Sequence, residues 1–173
     1  TRLRTVTGVQ TCALPICFTL SGSGNTTVSG IISTGSGGVS KSGSGVATLG
    51  GANTYTGTTT LSAGTLKAGS TSALGTSAAP LALSGGTLEL ATDSSVNAYN
   101  TTVGGNVAIT SNRATLGAGI THTLGTLSIG ANTLSIAAGG NVSSGTAGVT
   151  FGATTLSATG ANFSPGAGTL LTL

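Results

Sequence analysis

Three residues of this sequence could carry acid–base chemistry: the single histidine, His122, and the two carboxylates, Glu89 and Asp93. Catalysis through a histidine needs a nucleophile beside the ring and a third group that orients it. Both carboxylates lie about 30 residues before His122 in the chain. Alternation places His122 on the same side of a strand as Ile120 and Leu124, or on an exposed ladder if the register slips. We therefore expect a surface or structural histidine.

The two carboxylates could instead form the acid pair of a glycosidase, in which the carboxyl groups stand about 5 to 10 Å apart. Glu89 alternates with Leu88 and Leu90, which points it outward, and Asp93 lies in the turn that follows. Neither an aromatic platform nor a basic cluster accompanies them in the sequence. We expect solvated surface charges and no catalytic site.

Metal and cofactor sites are also not expected. Calcium-binding β-rolls repeat a Gly-Gly-x-Gly-x-Asp turn because the ion needs several oxygen ligands, and the one aspartate here cannot supply them. The glycine clusters at 35–38 and 42–45 lack the Gly-Lys-Ser/Thr end and the following helix of a phosphate-binding loop. They indicate corners of the fold, which we expect to be flexible. The sequence predicts no enzyme and no cofactor.

The first seventeen residues differ in style from the rest and contain both cysteines, Cys12 and Cys17. Residues 6–16 resemble, in order, the in-frame translation of a common short-read sequencing adapter, and residues 1–5 fit the same interpretation. A non-native segment of this kind is excluded from fold reasoning. The two cysteines are therefore not interpreted as a disulfide or a metal site.

Composition favours a β-fold with small apolar side chains inside. Charged residues make up 4% of the chain, against about 25% in ordinary globular domains, so little is available for the polar face of a helix. Hydrophobic residues are 38%, too many for a disordered chain, and aromatic residues are 3%, too few for a bulky core. Without residues 1–17 the formal charge falls from +3 to +1, which removes the support for a nucleic-acid partner. The charges that remain are Lys41, Lys67, Arg113, Glu89 and Asp93.

Short alternating runs recur along the chain, for example at 58–62, 87–90 and 126–129, bounded by glycine or asparagine. Alternation of Leu, Val or Ile with Thr, Ser or Ala is typical of half-buried strands. The tripeptide Gly-Thr-Leu recurs at spacings of 22, 39 and 43 residues, near one, two and two multiples of about 21. Such a period is typical of solenoids, in which each rung buries its apolar row against its neighbours. The tripeptides begin at Gly64, Gly86, Gly125 and Gly168.

We therefore predict an all-β chain that forms a β-solenoid of about seven short rungs from residue 18 to 173. Residues 18–48 are predicted to be irregular, Gly/Ser-rich first rungs, and residues 49–173 the β-helix repeats, clearest at 49–90. No start methionine, signal peptide or apolar run of about 18 residues is present, and the sequence stops inside a predicted strand. We expect a fragment of a longer polypeptide, without caps.

The stretch LGGANTYTGTTTLSAGTLKAG at 49–69 resembles the autotransporter-associated β-strand repeat of bacterial passenger domains. The Ala-Asn-Thr-Tyr-Thr-Gly core, the Gly-Thr-Leu after it and Ala-Leu-Gly at 73–75 stand in the family's order. The close similarity covers about 30 residues, and residues 86–173 share its style. The resemblance implies a right-handed parallel β-helix that is exported through the outer membrane and displayed on the cell surface by a C-terminal translocator, missing here. The expected repeat anchors are Asn53, Tyr55, Gly57, Gly64, Leu66, Gly86, Leu88, Gly125, Leu127, Gly168 and Leu170.

The function expected from this resemblance is a non-catalytic structural or adhesive stalk segment of a secreted, surface-displayed protein. Its expected partners are the neighbouring rungs of the full-length chain and cell-surface or extracellular glycans or proteins, without nucleic acid and without membrane insertion. One alternative is the non-catalytic part of a carbohydrate-active β-helix enzyme. The other is an ice-binding solenoid, which requires exposed Thr-x-Thr pairs aligned on at least three rungs. Candidate pairs are Thr54 with Thr56, Thr58 with Thr60, and Thr121 with Thr123.

Overall fold

A computed structural model describes residues 16–173 of the chain. Most of the predicted non-native segment, including Cys12, lies outside the described residues, whereas Cys17 is described and is exposed. The described chain contains strands β1 to β19 and no helix, so none of its segments could cross a bilayer as a helix. The prediction of an all-β fold is confirmed.

Two parallel seven-stranded sheets run along the described chain, and up to β10 successive strands alternate between them. Each strand pairs with a strand one turn later, so the chain coils into a β-solenoid of about seven turns, as predicted. Sheet 1 contains β1 (Phe18–Leu20), β3 (Val39–Lys41), β5 (Thr59–Leu61), β7 (Leu81–Leu83), β9 (Thr101–Val103), β13 (Leu127–Ile129) and β17 (Thr154–Leu156). Sheet 2 contains β2 (Thr26–Val28), β4 (Val46–Leu49), β6 (Thr65–Ala68), β8 (Thr87–Ala91), β10 (Val107–Asn112), β14 (Thr133–Ala138) and β18 (Asn162–Pro165).

The turns become longer after β10, where two further sheets begin. In sheet 1, Thr59 pairs with Leu81 and Leu81 with Thr101, which are steps of 22 and 20 residues. The next two steps, from Thr101 to Leu127 and from Leu127 to Thr154, take 26 and 27 residues. A uniform period near 21 is therefore wrong beyond Thr101, because the added strands lengthen each turn. Sheet 3 contains β12 (Thr121–Thr123), β16 (Ala147–Thr150) and β19 (Thr169–Thr172), and β11 (Gly117–Ala118) pairs with β15 (Val142–Ser144).

The core is a set of inward rows in which each side chain stacks on the equivalent residue of the next rung. In sheet 2, Leu66, Leu88, Ile109 and Ile136 form one such row and all are buried. Burying one side chain of this size contributes about 1.5–3 kcal/mol. A single rung cannot bury its own apolar face, so the stacking of rungs creates the core.

Some threonines lie on the inward side of their strands. Thr59 and Thr101 are fully buried in the inward row of sheet 1, between Val39, Leu81 and Leu127. Their hydroxyl groups are hydrogen-bonded inside the fold, which removes the cost of burying a polar atom. Threonine has the branched shape of valine, so it fits the same row when a carbonyl lies within reach.

Residues 18–48, which we predicted to be irregular, form β1 to β4 in the parallel register of the rest of the solenoid. The corners between these strands are closely stacked. A Cβ atom on Gly38 would stand 2.0 Å from the carbonyl oxygen of Thr58 on the next rung. A Cβ atom on Gly43 would stand equally close to the carbonyl oxygen of Gly22 on the rung before. These glycines allow neighbouring rungs to touch at the corners, which is a packing role.

Candidate functional site

The repeat core Ala-Asn-Thr-Tyr-Thr-Gly contains Asn53, whose buried side-chain amide joins three rungs. The Oδ1 atom of Asn53 accepts a hydrogen bond of 2.7 Å from the backbone N–H of Ile32 on the rung before. Its Nδ2 atom donates a bond of 2.5 Å to the carbonyl oxygen of Ala73 on the rung after. The side chain is almost fully buried. Asn53 therefore satisfies two backbone groups at a corner where the strand ladders are interrupted.

Tyr55 fills the interior of the same corner. Its hydroxyl group lies 2.6 Å from the Oγ1 atom of Thr59, which in turn donates to the carbonyl oxygen of Leu74 at 3.1 Å. Burial raises the pKa of Tyr55 well above its ordinary value. The phenol therefore stays protonated and acts as an interior hydrogen-bonding group.

Tyr99 repeats this arrangement two rungs later. Its hydroxyl group donates to the carbonyl oxygen of Gly75 at 2.9 Å, and burial raises the pKa of Tyr99 to about 12. Gly75 has a φ of +97°, and a Cβ atom there would stand 2.8 Å from the ring of Tyr55. The two aromatic rings and the glycine between them thus define one packed corner of the solenoid.

Positions 57 and 64 need glycine because the backbones of adjacent rungs approach closely there. A Cβ atom on Gly57 would lie 2.4 Å from the carbonyl oxygen of Ser36. One on Gly64 would lie 2.3 Å from the carbonyl oxygen of Gly43, and Gly64 also has a positive φ of +69°. Steric repulsion prevents a Cβ atom from approaching backbone atoms this closely. The hydrogen bonds between rungs hold them about 4.8 Å apart, so the rungs cannot easily separate to make room.

The four Gly-Thr-Leu tripeptides do not form one row. Leu66 and Leu88 are paired and buried in sheet 2, directly after Gly64 and Gly86. Leu127, after Gly125, is buried in sheet 1, whereas Leu170, after Gly168, is 48% exposed in sheet 3. The tripeptide marks a corner followed by a strand, and the structure uses it on three different sheets.

Lys41 is a buried charge that the sequence prediction did not identify. It is 2% exposed and points inward in the row that also contains Leu20, Leu61 and Leu83. Its ammonium group donates to the carbonyl oxygens of Gly43 and Ala63 at two stacked corners. Burial lowers the pKa of Lys41. The alternation of Val39, Ser40 and Lys41 was the signal that could have found it.

Glu89 lies on the outer side of sheet 2, as predicted, within a polar ladder. Its Oε1 atom accepts bonds from Lys67 at 2.9 Å and from the amide of Asn112 at 2.6 Å, on the rungs before and after. The Oδ1 atom of Asn112 accepts from the backbone N–H of Asn141 at 3.0 Å. The ladder therefore joins four rungs along the solenoid.

Asp93 belongs to a separate exposed cluster with the loop that follows β10. Its carboxylate accepts bonds from the backbone N–H of Thr115 at 3.2 Å, the hydroxyl group of Thr115 at 2.8 Å and Nε of Arg113 at 3.1 Å. The bonds from Thr115, with a smaller contribution from Arg113, lower the pKa of Asp93. Glu89 and Asp93 thus have different partners, and both carboxylates are engaged in joining rungs.

His122 is a structural residue, one of the two outcomes that the sequence left open, and it is fully buried. The side chain lies 3.1 Å through Nε2 from the carbonyl oxygen of Asn112. A carbonyl can only accept, so Nε2 carries the proton and Nδ1 is left as an acceptor. Nδ1 has no hydrogen-bond partner within residues 16–173. Burial lowers the pKa of His122, against a smaller opposing effect of bonds to backbone carbonyls.

The described part of the chain was also compared with the requirements of metal-binding and ice-binding sites. No three residues of the types His, Cys, Asp and Glu come together there as ligands for a metal. The exposed pair Thr121 and Thr123 on β12 lies opposite Gly148 and Thr150 on the next rung. The Thr-x-Thr pattern of this strand is thus not repeated on its neighbour.

Residues 39–68, which span β3 to β6, match the family model described as the passenger-associated-transport-repeat. The matched stretch begins ten residues before the repeat inferred at 49–69 and contains Asn53, Tyr55, Gly57 and Leu66. No curated protein and no solved structure matches the chain. The match over residues 39–68 and the stacked parallel sheets fit a repeat of the autotransporter passenger type.

Proposed function

We propose that this chain is a non-catalytic structural segment of a surface-displayed passenger protein, in which stacked rungs hold binding elements away from the membrane. The observation that carries the proposal is the unbroken parallel register of sheets 1 and 2. With rungs about 4.8 Å apart, seven turns form a rod about 30 Å long. The family match at residues 39–68 supports export and display.

The outward surface of sheet 1 supports a presentational role. The central outward position of each strand carries a small side chain: Thr19, Ser40, Thr60, Ala82, Thr102, Ser128 and Thr155. Such a surface offers neither an aromatic platform for sugars nor a charged patch. We infer that adhesion to a glycan or a protein, where it occurs, depends on the loops or on other modules.

The engagement of the two carboxylates also supports a non-catalytic role. Glu89 is neutralised by Lys67 on one side and bonded by Asn112 on the other, while Asp93 holds Arg113 and Thr115. A glycosidase needs one carboxyl group that is free to give a proton and a second that faces the sugar. Assaying the purified chain and the full-length protein on polysaccharides tests this. We expect no product from the chain, and turnover that is lost on Glu89→Gln would contradict the proposal.

Deleting residues 65–86 is expected to shorten the rod by one rung and to leave it folded. Thr65 pairs with Thr87, so the deletion joins Gly64 to the equivalent position one turn later. Stability in a solenoid is close to a sum over rungs and their interfaces, so the loss of one internal rung is local. Far-UV circular dichroism should keep its β-sheet signal, and small-angle scattering should give a length reduced by about 5 Å.

Deleting residues 65–75 is the matched control, because it removes half a turn and takes the following strands out of phase. This variant is expected to lose the fold downstream of Gly64. If both deletions unfold the chain, or if both are tolerated, the rod model is wrong.

Surface display is tested by labelling intact cells that carry the complete gene with an antibody raised against residues 49–173. We expect labelling without permeabilisation and removal of the signal by protease added outside the cells. Labelling that requires permeabilisation would contradict the proposed location. This experiment is independent of the deletion series, since a correctly folded rod could still be retained inside the cell.

A further inference from the structure

Four asparagines of the sequence stand in the order Asn-x-Ser/Thr, which is an acceptor motif for the attachment of a sugar to the side-chain amide. They are Asn25, Asn100, Asn141 and Asn162. Ser and Thr are so common in this chain that the motif also arises by chance. The surroundings of each amide therefore decide whether it can carry a sugar. The amide must be exposed, and its Nδ2 atom, to which the sugar is bonded, must be free.

Asn25 and Asn100 meet both conditions. Each is exposed at a corner directly before a strand. On the next rung, the backbone N–H of Val46 donates 3.1 Å to Oδ1 of Asn25, and that of Thr126 donates 3.0 Å to Oδ1 of Asn100. A backbone N–H only donates, so the oxygen faces the next rung and Nδ2 lies on the other side of the amide. Within residues 16–173, neither Nδ2 atom is bonded to another protein group.

The strand that follows each of these asparagines presents the third residue of the motif outward. Thr27 on β2 and Thr102 on β9 are exposed, whereas Thr101, the middle residue of the second motif, is buried. Residues two apart share one face of a strand, so the asparagine and the outer threonine lie on the same surface. A sugar on Nδ2 would project into solvent, displace no core side chain and leave Oδ1 bonded to the next rung.

Asn141 has the same motif in a different environment. Its Nδ2 atom donates 2.9 Å to the carbonyl oxygen of Arg113 and 3.2 Å to that of Ala114, on the rung before. A sugar replaces one of the two amide hydrogens, so it would break one of these bonds and stand between two rungs. Asn162 is exposed on the last described rung, where no bond from another rung orients its amide. The structure thus separates Asn25 and Asn100 from the other two motifs.

The outer surface of residues 18–173 is also poor in charge. Of its five charged residues, Lys41 is buried, and the other four form the pairs Lys67–Glu89 and Asp93–Arg113. Net charge keeps folded proteins soluble and apart, and the formal net charge of this segment is only +1. An attached sugar is bulky and solubilising, so it would supply hydration where charge does not.

We propose that Asn25 and Asn100 are glycosylation sites, each of which carries a sugar on its Nδ2 atom. The donor is a sugar held by its C1 atom as a diphosphate ester. A bond forms between Nδ2 and C1 while the bond between C1 and the diphosphate oxygen breaks. The diphosphate leaves with the electron pair of that bond, and one amide proton passes to a base of the transferase. No oxidant or reductant is required.

Peptide mapping of the complete protein, purified from the cells that carry its gene, tests this assignment. Electron-transfer fragmentation keeps the sugar on its side chain, and it should locate sugar on Asn25 and Asn100 and none on Asn141. Single sugars added in steps would indicate a nucleotide-linked donor, and one block of fixed composition a lipid-linked donor. The proposal is overturned if Asn25 and Asn100 are unmodified, if Asn141 is modified equally, or if only Ser and Thr hydroxyl groups carry sugar.

Variants at the third residue of each motif leave the asparagine and its bond to the next rung in place. Thr27→Ala should abolish the sugar on Asn25 alone, and Thr102→Ala the sugar on Asn100 alone. Thr27→Ser and Thr102→Ser are the matched controls, since serine keeps the hydroxyl group that the motif requires. All four changes are at exposed outward positions, so the fold should not depend on them. Sugar that persists in both alanine variants would contradict the assignment.

Asn106 allows a test by gain of modification. It is exposed, and its Oδ1 atom accepts 2.8 Å from the backbone N–H of Thr133 on the next rung, but Ala108 stands where the motif needs Ser or Thr. Asn106 and Ala108 line an open hollow of about 350 Å³, so a hydroxyl group fits there. Ala108→Ser should therefore acquire sugar on Asn106. If Asn106 stays unmodified while Asn25 and Asn100 carry sugar, the outward amide geometry is not what selects the sites.

Discussion

Asn53→Ala is expected to lower the free energy of unfolding by about 2–6 kcal/mol. The change leaves the backbone N–H of Ile32 and the carbonyl group of Ala73 unpaired in a buried corner. Each unsatisfied buried group costs about 1–3 kcal/mol. Guanidinium denaturation followed by circular dichroism measures the loss as a lower midpoint.

Asn25→Ala is the matched control for this prediction. Asn25 also accepts a hydrogen bond from the next rung, from the backbone N–H of Val46 at 3.1 Å, but it lies at an exposed corner. Water can replace the lost bond there, so we expect a cost of no more than about 1 kcal/mol. Equal losses for the two variants would show that burial of the Asn53 bridge is not what stabilises the repeat.

Gly57→Ala is expected to destabilise the chain by about 3 kcal/mol, although it adds a single methyl group. The new Cβ atom would stand 2.4 Å from the carbonyl oxygen of Ser36 and 2.5 Å from the carbonyl carbon of Gly37. Both atoms are backbone, so no change of rotamer relieves the contact, and the two rungs must separate locally. The midpoint of denaturation and the exchange protection of β3 to β5 should fall together.

Gly104→Ala shows whether this effect comes from the approach of rungs or from any loss of glycine. A Cβ atom on Gly104 would have as its nearest contact the carbonyl oxygen of Leu83, at 4.0 Å. We expect a change within about 0.5 kcal/mol in either direction. A cost at Gly104 as large as at Gly57 would contradict the role assigned to the close corner contact.

The sequence predicted strands and stacking well, because alternation and short periods are direct signatures of a coil of small rungs. Alternation indicates which residues share a face of a strand, but it does not show which polar side chains find a partner when their face is buried. Thr59 and Thr101 lie inside the core because a carbonyl accepts each hydroxyl group. Lys41 lies inside because the corner carbonyls of Gly43 and Ala63 accept its ammonium group. The fold brings these carbonyl groups to the side chains, and the local sequence pattern does not show that they will be there.

The predicted repeat anchors lie in different surroundings in the structure. Asn53, Tyr55 and Gly57 lie close together in the sequence and join one packed corner. Gly125 and Gly168 share only the tripeptide, which marks a corner on any sheet. The third sheet was missed because an added strand changes the length of a turn without changing the alternation inside the strands.

The lengthening of the turns after β10 has a mechanical consequence under the stalk role that we propose. A rod pulled along its chain gives way by unwinding one coil at a time, and each coil releases the contour length of its residues. The slender coils of about 21 residues would release roughly 70 Å each, and the thicker coils of about 27 residues roughly 90 Å. Such a chain would extend in steps of two sizes under force, because the number of residues in each coil sets the length that its unfolding releases.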